Sequence, residues 1–220
     1  MKTEPAQSIS RYASSVPLIL AGILLHQDIS PVVAATFSNP GAIIIRDISP
    51  ATPYPSSILV SGLVGSLSDV NVTLTGFSHS YASDVSVLLQ GPSSQSVLLM
   101  SRAGDTSAAS SLGLTFDDSA PSSLPAVGSL QSGTFKPTQY GSVTFPAPAP
   151  AGPYQTMLSA FNGSNPNATW SLFVLDNIPG DVGLITGGWS LTITTVPEPS
   201  TWALLGLGLP ALLALRRRKA

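Results

Sequence analysis

The sequence predicts an all-β fold, an antiparallel β-sandwich of jelly-roll type. Short apolar runs rich in β-branched residues fill the middle of the chain, and turn residues such as Gly91-Pro92 and Asn162-Gly163 separate them. No long stretch shows the period of an amphipathic helix. The predicted strands lie at 42–45, 58–61, 69–76, 85–90, 97–100, 112–116, 143–145, 157–161, 169–175 and 188–194.

The clearest strand pattern lies before the midpoint of the chain. Val70, Val72 and Leu74 alternate with polar residues, and the alternation resumes in 85–89 after a predicted connection at 76–83. Two half-buried strands are unstable alone in water, so they need a second apolar sheet. The other apolar runs are expected to supply it.

Two tryptophans late in the chain are predicted core anchors. Trp170 and Trp189 each lie in a strand pattern where they share one face with the apolar residues at alternate positions. The polar segment 176–183 lies between these two strands. It is predicted to be a turn that joins them into a hairpin.

Composition and charge exclude several classes of protein. The 220 residues include no cysteine, are 9% charged and have a formal net charge of -2, and this length suits one domain. The nine Lys and Arg residues form no basic stripe, so nucleic acid is not an expected partner. Only two histidines are present, which excludes a zinc site built from several histidines.

The N-terminal segment has the pattern of an export signal. Lys2 and Arg11 precede an apolar run at 16–25, and the small residues 33–35 predict a cleavage site before Thr36. An ordinary buried helix is the disfavoured alternative, because prolines bracket the run and leave it short.

The C-terminus has the most specific local pattern. Pro197, Glu198 and Pro199 precede an apolar run at 201–215, and a basic cluster follows. The cluster consists of Arg216, Arg217, Arg218 and Lys219. The run is shorter than the roughly 20 residues that span a bilayer, but basic side chains that snorkel to the surface permit transient membrane insertion.

This order of Pro-Glu-Pro, short hydrophobic helix and arginine cluster resembles the PEP-CTERM sorting signal of Gram-negative bacteria. The resemblance implies that an exosortase removes the tail and that the protein reaches the cell envelope, the cell surface or the extracellular matrix. A permanent C-terminal anchor and an amphipathic tail are the alternatives.

The two terminal signals divide the chain into three parts. Residues 1–35 are predicted to be the signal peptide, 36–195 the folded domain and 196–220 the sorting signal. Without cysteine, the folded domain must be stabilised by its apolar core, with or without a metal ion.

A set of short motifs runs through the folded domain. Its first half contains Ser61-Gly62, Asp69-Val70, the segment from His79 to Asp84, and Gly91-Pro92; its second half contains Asn162-Gly163, Trp170-Ser171-Leu172, Asp176, Gly180-Asp181, Gly183 and Trp189-Ser190-Leu191. In order and spacing they resemble the P domain of subtilisin/kexin-type proprotein convertases. The likeness covers about 42–195 and implies a galactose-binding-like jelly-roll β-sandwich.

We expect no enzymatic activity. In the convertases a P domain follows a catalytic domain, whereas here the signal peptide leads directly into the P-like region. A Ser-His-Asp triad would need His79 as its base, and the sequence has no G-x-S-x-G motif. A structural histidine that bonds nearby backbone or a carboxylate is the favoured interpretation, and no two aspartates stand out as a glycosidase pair.

Calcium is the expected cofactor, because Asp-, Asn- and Gly-rich loops supply the hard oxygen ligands that it prefers. P domains are in part calcium binders, so the resemblance implies Asp84, Asp118, Asp176 and Asp181 as ligands. The alternative is that these aspartates cap turns through side-chain to backbone bonds. Asp84 in particular could bond His79.

The sequence therefore predicts a non-catalytic exported module that stabilises, docks with or binds surface and matrix components. A carbohydrate-binding or hydrolytic jelly roll is the alternative, because related folds host lectin sites. In that case Tyr54, Tyr81, Tyr140 and Tyr154, all in loop-like contexts, would offer faces on which sugars could stack.

Overall fold

The computed structural model describes residues 33–196. The predicted signal peptide up to residue 32 and the predicted sorting motif from Pro197 onward lie outside the described residues. Across 33–196, no helix has the length and hydropathy needed to cross a membrane.

The described chain is almost entirely strand and loop, which confirms the all-β prediction. The strands are β1 Val33–Asn39, β2 Ile43–Ile45, β3 Ser49–Pro50, β4 Ser56–Leu59, β5 Ser66–His79, β6 Val85–Gln90, β7 Ser96–Ser101, β8 Ala109–Phe116, β9 Gly133–Phe135, β10 Thr138–Gln139, β11 Thr169–Asp176, β12 Gly183–Ile185 and β13 Trp189–Val196. Short 3₁₀ helices occur at Ala82–Asp84, Pro92–Ser94 and Leu158–Phe161.

The strands form two sheets that pack as a sandwich. The first sheet has the order β1-β13-β5-β12-β2, with β8 added to β5 and β9 added to β8. The second has the order β10-β7-β6-β11-β3, with β4 also paired with β11. Most pairs are antiparallel as predicted, but β8–β9 and β7–β10 are parallel, so both sheets are mixed.

The longest strand, β5, is the centre of the first sheet. Val70, Val72 and Leu74 are buried as their alternation predicted. The strand does not stop at Gly76, however, and continues to His79. Gly76 has a positive φ, and the pairing register with β8 shifts beside it, so this glycine forms a bulge within the strand. The predicted connection at 76–83 is therefore too long.

Both predicted tryptophan anchors lie in the core between the sheets. Trp170 and Trp189 are 0% and 1% exposed, and each indole N–H is satisfied. Trp170 donates to the carbonyl of Pro166 at 3.0 Å, and Trp189 donates to Ser56 Oγ at 2.9 Å. The rings are thus buried without an unpaired polar atom.

The predicted hairpin between the two tryptophan strands is wrong. β11 lies in the second sheet and β13 in the first, so the chain crosses the sandwich between them. The crossing contains β12, which inserts between β5 and β2. Strand periodicity marks each strand but does not say which sheet it joins.

Two other predicted strands are also wrong, for identifiable reasons. Residues 143–145 begin a proline-rich segment, where missing N–H groups prevent a ladder. Residues 158–161 form a 3₁₀ helix because the carboxylate of Asp118 accepts from the N–H groups of Leu158 and Ser159.

A second, smaller apolar cluster lies on the outer face of the second sheet. There the proline-rich segment 143–154 covers the side chains of β6, β7 and β11 that point away from the main core. Phe145 is the buried residue of this proline-rich segment and contacts Tyr154 edge to face at 5.7 Å between ring centroids. This cover explains why β6 is buried on both faces.

Candidate functional site

His79 is at the end of β5, where its buried ring joins two parts of the chain. Nδ1 lies 2.7 Å from the carbonyl oxygen of Tyr81, and Nε2 lies 3.2 Å from Asp176 Oδ2. Nδ1 also lies 3.3 Å from the backbone N–H of Tyr81, so this nitrogen faces both a donor and an acceptor of the same residue. The structural interpretation of this histidine, bonded to backbone and to a carboxylate, fits these contacts.

Asp176 is the carboxylate partner of His79 and is fully buried at the end of β11. Its Oδ1 accepts from the N–H of Ile178 at 3.0 Å. Burial raises the pKa of Asp176, and the nearby negative charge of Asp84 adds to the increase. The Ile178 N–H and His79 oppose it. The bond between Asp84 and His79 that the sequence suggested is therefore not formed; Asp176 takes that position.

Asp84 lies in the 3₁₀ helix that follows β5, and it is 5% exposed. Its Oδ1 accepts from Ser83 Oγ at 3.2 Å. Burial raises the pKa of Asp84, the Ser83 hydroxyl lowers it, and the charge of Asp181 raises it further. We call the four residues His79, Asp84, Asp176 and Asp181 the His79 cluster.

The fourth predicted calcium ligand, Asp118, lies elsewhere. It follows the end of β8 that pairs with Val72, whereas His79 pairs with Ala109 at the other end of β8. Both Asp118 oxygens accept backbone N–H groups of the 3₁₀ helix at 158–161. Asp118 therefore lies apart from the other three predicted ligands, and its carboxylate caps the 3₁₀ helix at 158–161.

The rest of the set supplies few ligand oxygens. Among residues 33–196, no three acidic or histidine side chains are spaced to hold one metal ion. Asp176 uses both oxygens within the protein, on His79 and Ile178. In the His79 cluster, Asp84 and Asp181 are the two carboxylates that make no bond to His79, and their negative charges repel each other. A calcium ion at this position would be bound by these two carboxylates and by backbone carbonyl oxygens.

An open depression of about 400 Å³ lies beside the ring of His79. Its lining consists of Ser78, His79, Ser80, Ala108, Ala109, Val182, Gly183 and Leu184. The Ser78 hydroxyl accepts from the N–H of Ser111 at 2.8 Å. Catalysis by a serine nucleophile requires a bond between the serine hydroxyl and an imidazole nitrogen. In the described part of the chain, neither nitrogen of His79 is bonded to a serine hydroxyl.

The four loop tyrosines do not form a sugar-stacking platform together. Tyr54 packs edge to face on Phe173 at 5.1 Å, and its hydroxyl donates to Pro146. Burial, followed by the nearby Tyr154, raises the pKa of Tyr54 to about 12. Tyr54 and Tyr154 belong to the smaller apolar cluster, whereas Tyr81 and Tyr140 are 42% and 47% exposed.

A second group of acidic residues lies beside β5, and the sequence did not predict that they would lie close together. Burial raises the pKa of Asp69, and the charges of Asp117 and Asp118 raise it further. Asp69 accepts from the amide of Asn71, whose Oδ1 is buried and has no partner in the described part of the chain. Only the register of β5 and β8 brings these residues together, so spacing in the sequence could not reveal them.

The comparison with protein families identifies the C-terminal motif. The model of the PEP-CTERM protein-sorting motif matches residues 195–219. This motif supports exosortase-dependent export to the cell surface of a bacterium. The match begins inside β13, so the sorting motif follows the sandwich without an intervening linker.

Two solved structures are similar in shape to this chain. One is the serine protease of Aeromonas sobria in complex with its chaperone, with 13% identity and a TM-score of 0.39, covering 79% of this chain and 28% of that chain. The other is a structure of the serine protease of Aeromonas sobria, with 15% identity and a TM-score of 0.39, covering 78% of this chain and 28% of that chain. The chain thus spans about 28% of the length of the proteins it matches. No curated protein matches it.

Proposed function

We propose that this protein is a non-catalytic β-sandwich module that an exosortase sorts to the surface or extracellular matrix of a Gram-negative bacterium. There it stabilises or binds other surface components. The observation that carries the proposal is the sorting motif at 195–219, which follows directly on a domain with its own packed core. A stable, weakly charged sandwich delivered in this way suits a structural or binding role.

The contacts of His79 support a role without catalysis. It is the one histidine of the predicted folded domain, and both of its nitrogens are bonded within the protein. To act as a general base it would have to give up its contact with Tyr81 or Asp176. The ring fixes the segment after β5 against the end of β11, which is a structural task.

The likeness to convertase P domains remains part of the proposal. The motifs at His79, Asp84, Asp176 and Gly183 meet at one end of the sandwich, where His79 bonds Asp176 and β12 packs against β5. Residues far apart in sequence thus form one structural unit. Its integrity, not a chemical step, would explain why these residue types occur together.

Calcium binding is proposed only for the Asp84 and Asp181 pair of the His79 cluster. Two like charges near a buried third carboxylate repel one another, and a divalent cation would relieve that repulsion. When bound, calcium would stiffen the loops that carry the two residues. The ion would have no part in a reaction.

Sorting is tested in cells by expressing the full chain in a Gram-negative host with and without an exosortase. An epitope placed after Val127, whose side chain is 73% exposed, reports the protein without disturbing the core. We expect a shortened product at the cell surface only when the enzyme is present. Surface delivery of an unshortened chain without the enzyme would refute the proposal.

The basic cluster of the tail provides a matched control. Replacing Arg216, Arg217 and Arg218 by lysine keeps the positive charge that holds the tail at the membrane. Replacing the same three residues by glutamine removes it. We expect surface delivery to survive in the lysine variant and to fail in the glutamine variant.

A further inference from the structure

The sandwich has one end at which the described chain passes into the sorting motif. The last residue of β13, Val196, pairs with Ser66, the first residue of β5. At the same end, Leu67 bonds the backbone of Gly163 and Ser164, and the side chain of Asn167 bonds the backbone of Leu63. We call this the tail end; it comprises 59–66, 91–95, 162–168 and Val196.

The tail end exposes apolar side chains and lacks charge in its loops. Leu59, Val64 and Val196 are 70%, 79% and 43% exposed. No Asp, Glu, Lys or Arg occurs in 59–66, 91–95 or 162–168. Exposed apolar groups without interleaved charge mark a surface that can leave water at low cost.

The opposite end of the sandwich provides an internal comparison. Ile48 and Val182 are 62% and 64% exposed there. Each is adjacent in sequence to a carboxylate, Asp47 or Asp181, and the His79 cluster lies at this same end. Moving this end out of water would also remove these carboxylates from water, which is costly. Both ends expose aliphatic side chains, but only this end has carboxylates next to them.

The chain beyond Val196 determines what the tail end faces. Four residues, 197–200, lie between Val196 and Thr201, where the apolar run of the sorting motif begins, so the five Cα-to-Cα steps span only about 17 Å even when fully extended. We propose that the tail end rests on the lipid bilayer through Leu59, Val64 and Val196 while the sorting helix is inserted. This inference rests on the proposed sorting function.

The contact is strengthened by attachment and not by charge. Three aliphatic side chains are too few to hold a free domain on a membrane, but a short tether raises their effective concentration at the bilayer to the order of millimolar. The nearest carboxylates, Asp69, Asp117 and Asp118, would be repelled by anionic lipid. The contact should therefore be at least as strong on neutral vesicles.

The absence of cysteine allows a direct test with single labels. Full chains carrying Val64→Cys, Val182→Cys or Leu205→Cys are labelled with an environment-sensitive fluorophore and inserted into phosphatidylcholine vesicles containing a headgroup-quenching lipid. Val182 is the matched control, because its side chain is similarly exposed at the opposite end. We expect several-fold stronger quenching at position 64 than at 182.

Each outcome decides between the inference and the sorting proposal. Quenching at 205 with equally weak quenching at 64 and 182 would overturn the lipid contact while leaving tail insertion intact, and the processing enzyme would become the partner to examine. No quenching at 205 would refute tail insertion, and the inference with it. Position 94 also lies in the tail end, so a label on a Ser94→Cys chain should be quenched as well. Adding Leu59→Asn and Val64→Asn to this labelled chain should abolish that quenching.

Discussion

Single residues connect the two sheets of this sandwich. Trp189 of the first sheet donates its indole N–H to Ser56 of the second, and Asn39 of β1 donates to the same hydroxyl oxygen at 3.3 Å. Ser56 is 1% exposed, so these contacts are shielded from water. A polar bond at the centre of an apolar core fixes the relative position of the sheets as well as stabilising them.

Truncation of Trp189 tests this view. We expect Trp189→Ala to lower the free energy of unfolding by about 3 to 5 kcal/mol, because it leaves a large cavity in the core. Ser56→Ala should cost about 1 to 3 kcal/mol, because it leaves the indole N–H buried without an acceptor. Urea unfolding measures both. A loss of only a few tenths for Trp189→Ala would contradict the core assignment.

The acids beside β5 predict a pH dependence. The pKa of Asp69 is raised in the folded protein, so the native state binds that proton more tightly than the unfolded chain does. Its stabilising contribution is therefore present below the unfolded pKa of 3.8 and is lost as pH rises through the folded pKa. Asp69→Asn should consequently raise stability at neutral pH and change it little in acid. Urea midpoints at both pH values would show this, and a neutral-pH loss would argue against it.

The candidate site shows how far single residues could be predicted. The sequence identified His79, Asp84 and Asp176 as belonging to one motif, but it placed the wrong carboxylate on the histidine. His79 and Asp176 are 97 positions apart, and only the pairing of strands brings them together. Asp84 is close in the sequence, yet the 3₁₀ helix turns its carboxylate toward Ser83.

At the scale of elements, the approach of β12 to β5 depends on a glycine. A Cβ at Gly183 would clash with His79 Cδ2 and would lie 2.5 Å from the carbonyl oxygen of Ser78. The end of a flexible side chain can move away from such a contact, but a backbone carbonyl within a paired strand cannot. The glycine thus allows β12 to lie against the imidazole ring.

We expect Gly183→Ala to lower the melting temperature by several degrees, because β12 must move away from β5 and the bond between His79 and Asp176 is strained. Gly113→Ala in β8 is the matched control, since a Cβ there meets nothing within 4 Å. It should be neutral or slightly stabilising, because alanine restricts the unfolded chain. Thermal unfolding compares the two, and equal effects would contradict the steric argument.

Elements were predictable where one face is buried and the strand is long. The alternation in β5 and the tryptophan strands β11 and β13 appear where the sequence placed them. Short edge strands such as β3, β9 and β10 carry too few residues to show a period, and they form because neighbouring strands offer partners. β1 was missed because its residues 33–35 have the small side chains of a signal cleavage site.

For the whole molecule, the calcium proposal makes a decisive prediction. Residues 33–196, which contain the complete sandwich, should melt at a higher temperature with calcium than with excess chelator. A ligand at about a hundred times its dissociation constant adds roughly 2.7 kcal/mol when it binds only the native state. Asp84→Asn combined with Asp181→Asn should abolish the difference.

Asp118→Ala provides the comparison for that experiment. It should lower the melting temperature equally with and without calcium, because it removes the acceptor for two backbone N–H groups at 158–159. Identical curves for the parent protein in calcium and chelator would instead mean that all these aspartates serve the fold alone.

The position of β13 affects the order of events during export. This strand pairs with the edge strand β1 on one side and with β5 on the other, so β1 and β5 have no partner on these sides until residues 189–196 arrive. The earlier strands therefore remain incompletely paired while most of the chain is synthesised and translocated. Completion of the fold and arrival of the sorting segment are separated by only a few residues of chain, so a processing enzyme meets its substrate just as the domain becomes able to close.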